Sequence, residues 1–323
     1  MSIETKLSPD IQLSDALAQE VERAQAGYLA YLNSLAPDLL PLLFKIDMTD
    51  VGMSPGRLSV LALPFWVGET FSVELETQRQ IALANIFGLL HFVAQDRLID
   101  GDFKESEIPM LVLSSTLYQQ QMFSLYQSYF PPHSNFWSLL NKYWLEWAES
   151  TAWERQVGLC PAFVEEDLER AARKAAPLKI CTSGLALLGK RDHLISDLER
   201  AVDMMHMVMQ MTDDLVDMAD DLAGDRFNTA VSLMVSRGTL EQHSNLTIEQ
   251  IGRAMFASGD DIVYFQKMGE IAEQAQELLV RLDLIPWADL ILQTAKQAIT
   301  WRDLVVKEFI PTALEQLFSG SSD

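Results

Sequence analysis

Residues 201–225, AVDMMHMVMQMTDDLVDMADDLAGD, constrain the fold of this chain more than any other stretch. At the helical spacing of about 100° per residue, Asp203, His206, Gln210, Asp213, Asp214, Asp217 and Asp221 fall on one stripe about 100° wide. The rest of the helix surface carries Met204, Met205, Met207, Val208, Met209, Met211, Leu215, Val216 and Met218. So broad an apolar face is satisfied only by protein interior, so this helix is expected to run through a core with one polar edge.

The remaining sequence agrees with a helical core. Leu, Ala, Met, Gln and Glu dominate, and short alternating runs of Val, Ile and Thr between tight turns do not recur. The pattern predicts an all-α chain with helices near 10–35, 57–67, 72–100, 107–129, 135–155, 163–175, 178–190, 193–222, 247–256, 258–282 and 287–318. Breaks are expected at DMTDVGMSPG, FPPHSN, GLCPA and RGTLEQHSNLT. No Gly/Ser-rich or Pro-rich linker and no repeat divides the sequence, so residues 1–323 are expected to form one domain, a large bundle around a cavity.

Charge narrows the ligands. With 24 Lys and Arg against 46 Asp and Glu, the net charge is −22, and a nucleic-acid partner is excluded for want of a positive field. Cys160 and Cys181 are too few for a disulfide scaffold and lack metal-ligand spacing. The opening MSIETKLSPD has no apolar core, so no secretory signal is expected, and the uncharged stretch 108–141 is too polar to span a membrane. A cytoplasmic protein is the expectation, with that uncharged stretch a candidate homodimer contact.

The acids of 213–225 are unusual for a solvated helix face. All six are aspartates, with no Lys or Arg among them, and five of their pairs lie three or four residues apart. Like charges at those spacings cost about 0.2–0.5 kcal/mol each, so an uncompensated row points to a cation. Short carboxylates in line suit a hard divalent ion, and Mg²⁺ is the commonest. Asp220 and Asp225 fall off the central line or beyond the helix end. A second acidic pair lies in LLHFVAQDRLIDGD, where Asp96 and Asp100 share a face and Asp102 follows. Asn85, Leu89 and Phe92 continue that face as a mostly apolar wall. Two acidic patches 117 residues apart, each ending a long apolar helix, are expected to face one another across a pocket that is greasy below and metal-binding at its mouth. An acidic pocket takes an anionic substrate only through bridging cations, and a lipid-like diphosphate satisfies both halves.

At these residues the chain resembles the class I isoprenoid synthase superfamily, which includes trans-prenyl diphosphate synthases, squalene and phytoene synthases, and class I terpene cyclases. Gln210 with Asp213, Asp214 and Asp217 is similar to the second, QxxDD-type motif. Asp213, Asp217 and Asp221 also have the first, fifth and ninth spacing of the cyclase metal triad. Asp96 and Asp100 resemble the first aspartate-rich motif in its DxxxD form. The resemblance implies an all-α bundle around a deep apolar cavity, three Mg²⁺ ions gripping a prenyl diphosphate, and ionisation to an allylic carbocation. It implies Asp96, Asp100, Asp213, Asp214 and Asp217 as catalytic residues, those five with Asp221 as metal ligands, and Asn85, Leu89, Phe92, His206 and Gln210 as cavity wall.

Basic partners follow from the same likeness. Lys179 in LKICTSGLA is similar to a diphosphate-contacting Lys-Thr motif, Arg226 directly follows the acidic helix, and Arg57 resembles the basic opening of a prenyltransferase helix. Arg302, after Trp301, stands where cyclases often have an Arg-Tyr pair. Chain-elongating synthases resemble one another in a Gly-Lys-Arg run and an Arg-Arg pair that hold isopentenyl diphosphate; here only Gly56-Arg57 and Lys104 correspond. That departure favours a terpene cyclase, a carbon–oxygen lyase, whereas the DDxxD form of the second motif favours a prenyltransferase such as a prenyl diphosphate or squalene/phytoene synthase. A non-catalytic acidic helical scaffold stands as the third reading. Paired Glu-x-x-His units for a di-iron site and the Gly and Glu of an EF-hand are missing.

Overall fold

A computed structural model describes residues 13–45, 55–101, 103–158, 165–241 and 247–319, with backbone only at 42, 165 and 304–319. The described residues form thirteen α-helices and no strand. They are α1 (Asp15–Ser34), α2 (Pro55–Thr70), α3 (Leu75–Asp100), α4 (Ile108–Gln127), α5 (Phe136–Val157), α6 (Glu165–Ala172) and α7 (Leu178–Leu188). After these come α8 (Ile195–Val216), α9 (Met218–Gly224), α10 (Thr229–Ser236), α11 (Ile248–Ser258), α12 (Asp260–Arg281) and α13 (Ile285–Ser319). Asp102, Cys160, most of DMTDVGMSPG and GLCPA, and residues 242–246 of RGTLEQHSNLT lie outside the described residues.

Helix α8 is the hub. It packs against α6, α7, α10, α12 and α13. Its face of Met204, Met205, Met207, Val208, Met209 and Met211 is buried. Sulfur from Met205 also accepts a hydrogen bond from Trp287 Nε1 of α13 at 3.1 Å. Around α3, the neighbours are α1, α2, α4 and α7. One contiguous buried cluster runs through the chain from Val21 to Ala298. On α4, Ile108, Val112 and Leu113 are exposed. No helix among the described residues is long and apolar enough to cross a membrane.

Two expectations need correction. The helix expected over 193–222 breaks at Asp217, where the backbone leaves helical geometry (φ −92°, ψ 3°) and α9 begins. The cause is Asn228, whose Nδ2 donates to the Asp214 carbonyl at 2.8 Å and to Asp221 Oδ2 at 2.9 Å. A side-chain amide that takes the Asp214 carbonyl ends the ladder there. The same Asn228 caps α10, its Oδ1 accepting from the N–H groups of Ala230 and Val231 at 3.1 and 3.2 Å. Helix α10 is the element the sequence reading lacked. At eight residues, TAVSLMVS is too short for periodicity to identify, although Asn before Thr is an ordinary N-cap signal.

Candidate metal and diphosphate site

Three helices end at one place, and each brings its C-terminus. Helix α3 stops at Gly101, which adopts φ +79° while its N–H bonds the Arg97 carbonyl at 3.1 Å. That left-handed turn suits glycine, and it leaves Asp96 and Asp100 in the final turn. Helix α5 ends just after Glu154 and Arg155, and α8 ends just after Asp213 and Asp214. A helix C-terminus carries a partial negative charge, so each carboxylate placed there is disfavoured by about 0.3–1 kcal/mol unless a cation answers it. The fold accepts this cost several times over at a single pocket.

That pocket has a volume of about 550 Å³ and is polar. Eight acids line it: Asp96, Asp100, Glu154, Asp213, Asp214, Asp217, Asp221 and Asp225. Only Arg155, Lys174 and Arg226 oppose them, leaving a large negative excess. Gln210, expected on the apolar wall, belongs here instead, because its amide turns to donate to Asp214 Oδ1 at 2.6 Å. Asp225 also reaches the pocket, contrary to its place on an unbroken helix. Beyond the break the chain turns back, and Asp225 caps α9 in the left-handed region (φ +52°).

A second, apolar pocket of about 230 Å³ adjoins the first, with Asp96 and Lys174 lining both. Asn85, Leu89, Phe92 and His206 surround it, together with Tyr126 and Trp147. The Phe92 ring sits 5.0 Å from Trp147 and 4.9 Å from Trp144, so aromatic surface backs this wall. Asn85 is committed within it, donating to the Val60 carbonyl at 2.7 Å.

Lys174 stands at the junction. It occupies a short 3₁₀ turn (Arg173–Ala175), its Nζ 2.7 Å from Glu154 and 3.8 Å from Asp96. Burial alone would lower its pKa, but Glu154, Asp96 and Asp100 outweigh that and raise it, keeping the ammonium charged. Sequence reasoning missed Lys174 and Arg155. Neither belongs to a spaced motif, and only the packing of the 3₁₀ turn against α5 brings them to the acids.

The acids of the second motif have unequal surroundings. Asp214 is buried and accepts hydrogen bonds from the Thr229 N–H, the Thr229 hydroxyl and Gln210. Burial pushes its pKa up to about 7 against those hydrogen bonds, which act the other way. Its oxygens already hold α10 and Gln210, so Asp214 is a positioning acid and a poor candidate for a ligand. Burial likewise raises the Asp221 carboxyl, opposed by the Asn228 hydrogen bond and by Arg226, whose Nε is 3.4 Å away.

Three of the basic residues singled out from sequence lie elsewhere. Lys179 is buried, its Nζ 2.8 Å from Glu146 and 2.6 Å from Asp203. Arg302 pairs with Asp261 of α12 at 2.7 Å and with Asp303 at 2.9 Å. Arg57 opens α2, and neither it nor Arg302 nor Lys179 lines either pocket. Arg226 alone of the four is at the acids.

Among the described residues no three His, Cys, Asp or Glu side chains converge closely enough to hold an ion as they stand. Mg²⁺ does not require such a cage, since it keeps several waters and is commonly held by one or two carboxylates plus substrate phosphates. The donors are all hard oxygens, divided between α3 and the α8–α9 junction, so the residues present fit this ion in chemistry and number. No family model matches the chain, and no curated protein sequence matches it.

Proposed function

We propose that the chain is a Mg²⁺-dependent class I terpene synthase that ionises a linear prenyl diphosphate and releases a terpene hydrocarbon or alcohol. The observation that carries this reading is the sharing of Asp96 and Lys174 between an acid-lined pocket and an aromatic-backed apolar one. A substrate with a doubly charged head and a hydrocarbon tail matches both halves at once. The apolar pocket is then the upper part of the deep cavity such a tail needs.

Asp96 and Asp100 on one side, with Asp213, Asp217 and Asp221 on the other, would hold the ions. When bound, these supply Lewis-acid stabilisation of the departing diphosphate. The chain's own cations do the complementary work: Arg155, Lys174 and Arg226 line the same pocket and offer donors to diphosphate oxygens. Asp214, held by Thr229, keeps the end of α8 in place between Asp213 and Asp217. Below the mouth, Phe92, Tyr126 and Trp147 exclude water and present aromatic faces to a carbocation. A scaffold that recruits basic partners would spread its acids over open surface, whereas these are gathered in a pocket.

Mass-spectrometric product analysis tests the reading, with Mg²⁺ and geranyl, farnesyl or geranylgeranyl diphosphate, each with and without isopentenyl diphosphate. Hydrocarbon or alcohol formed without isopentenyl diphosphate supports a cyclase. A longer diphosphate formed only with it would replace the reading by a chain-elongating transferase, and no turnover of any substrate would overturn both.

A further inference from the structure

Resting on the terpene-forming reading, we propose that His206 is the base that ends the carbocation sequence by taking a proton from the hydrocarbon. The apolar pocket has few polar side chains, and most are engaged: Asn85 with the Val60 carbonyl, Lys174 with Glu154, Asp96 facing Lys174. His206 lines the same pocket, and its buried Nε2 has no hydrogen-bond partner. Leaving a buried ring nitrogen unpaired costs about 1–3 kcal/mol, and a histidine retained only for packing would have its nitrogens satisfied. A ligand that brings a proton to Nε2 accounts for the cost.

The charge state suits the task. Burial, reinforced by the nearby Lys179 ammonium, holds the His206 pKa to about 3, so the imidazole is neutral, and its Nδ1–H tautomer leaves the Nε2 lone pair available. A weak base is sufficient, because a C–H bond beside a carbocation is far more acidic than an imidazolium. Nε2 takes that proton, and the C–H electron pair becomes the new C=C bond. The cation is thereby discharged to an olefin. The imidazolium, disfavoured by burial and by Lys179, passes its proton to the released diphosphate or to water as the product leaves. The sum is prenyl diphosphate to olefin plus protonated diphosphate, with no oxidant or reductant.

The test compares wild type, His206→Phe and His206→Gln with farnesyl diphosphate and Mg²⁺. It reads olefin and alcohol by mass spectrometry against diphosphate released, binding of the unreactive farnesyl thiodiphosphate by calorimetry, and folding by thermal melts. Olefin formed per diphosphate released is expected to fall about tenfold or more in His206→Phe, with alcohol from water capture rising, and to recover in part in His206→Gln. An unchanged olefin-to-diphosphate ratio in both variants overturns the proposal while leaving the terpene reading intact, as does a wild type that releases diphosphate but forms no olefin. A wild type that releases no diphosphate from geranyl, farnesyl or geranylgeranyl diphosphate removes both. If His206→Phe fails to fold, His206→Gln decides on the same ratio.

Discussion

Thr229 grips Asp214 twice, its N–H donating to Oδ2 at 2.6 Å and its hydroxyl donating to the same oxygen. Helix α10 is thereby tied to the end of α8, between the carboxylates of Asp213 and Asp217. Thr229→Val removes the hydroxyl and leaves the buried carboxylate short of a donor. We expect a stability loss of about 1–3 kcal/mol and reduced diphosphate release, with Thr229→Ser close to wild type. Thermal melts beside activity assays check this.

Asp96→Ala and Asp217→Ala are expected to abolish diphosphate release while leaving the melting temperature unchanged or slightly higher. Each removes one charge from a like-charged group, and repulsion is relieved. Normal turnover in both variants would sink the metal assignment.

Lys174→Met takes away the cation between Glu154 and Asp96. Without a divalent ion the acids lose an internal counter-charge, so the chelated variant is expected to be about 2 kcal/mol less stable than wild type. Added Mg²⁺ is expected to restore most of that difference. Melts with chelator and with Mg²⁺ would contradict this if the gap were the same in both.

Lys179→Met separates a buried ion cluster from a substrate contact. Glu146 and Asp203 would lose the ammonium they share, at a cost of about 3–5 kcal/mol. A lowered melting temperature is therefore expected. A raised KM for prenyl diphosphate at unchanged stability would instead return Lys179 to the diphosphate.

Acid should weaken the fold through His206. Its pKa is about 3 in the folded chain against an ordinary 6.5, so between those values the unfolded chain binds a proton that the folded chain refuses. The stabilisation is complete above pH 6.5 and is lost as pH falls towards 3, by up to about 1.4 kcal/mol per pH unit. His206→Gln does not titrate. The stability difference between wild type and this variant in urea melts should therefore shrink or reverse from pH 7.5 to pH 4.5, and a constant difference would contradict the assignment.

Much of the architecture was legible because helix formation and amphipathicity are local. Gly101, with its left-handed turn, ends a helix where the sequence places it, whereas Ser14, which accepts from the Leu17 N–H at 3.3 Å, caps the first described helix inside the stretch expected to be helical from residue 10. The methionine face of α8 is buried as its period requires. Asp96, Asp100, Asp213, Asp217 and Asp221 could be picked out by spacing, and the structure gathers them around one pocket. The break at Asp217 was not legible, because it depends on Asn228, which reaches back across a turn to a carbonyl fourteen residues earlier.

By itself, then, the sequence determined the helical content, the apolar faces and the identity of the acidic residues, since each follows from residue type and spacing along one helix. Only the tertiary structure decided which charges share a space. It brought Lys174, Arg155 and Arg226 to the acids, set Lys179 and Arg302 among other carboxylates, enclosed Asp214 with Thr229, and left His206 Nε2 without a partner. The physical reason is that burial and ion pairing depend on which helix ends meet in three dimensions, and no periodicity along the chain encodes that meeting.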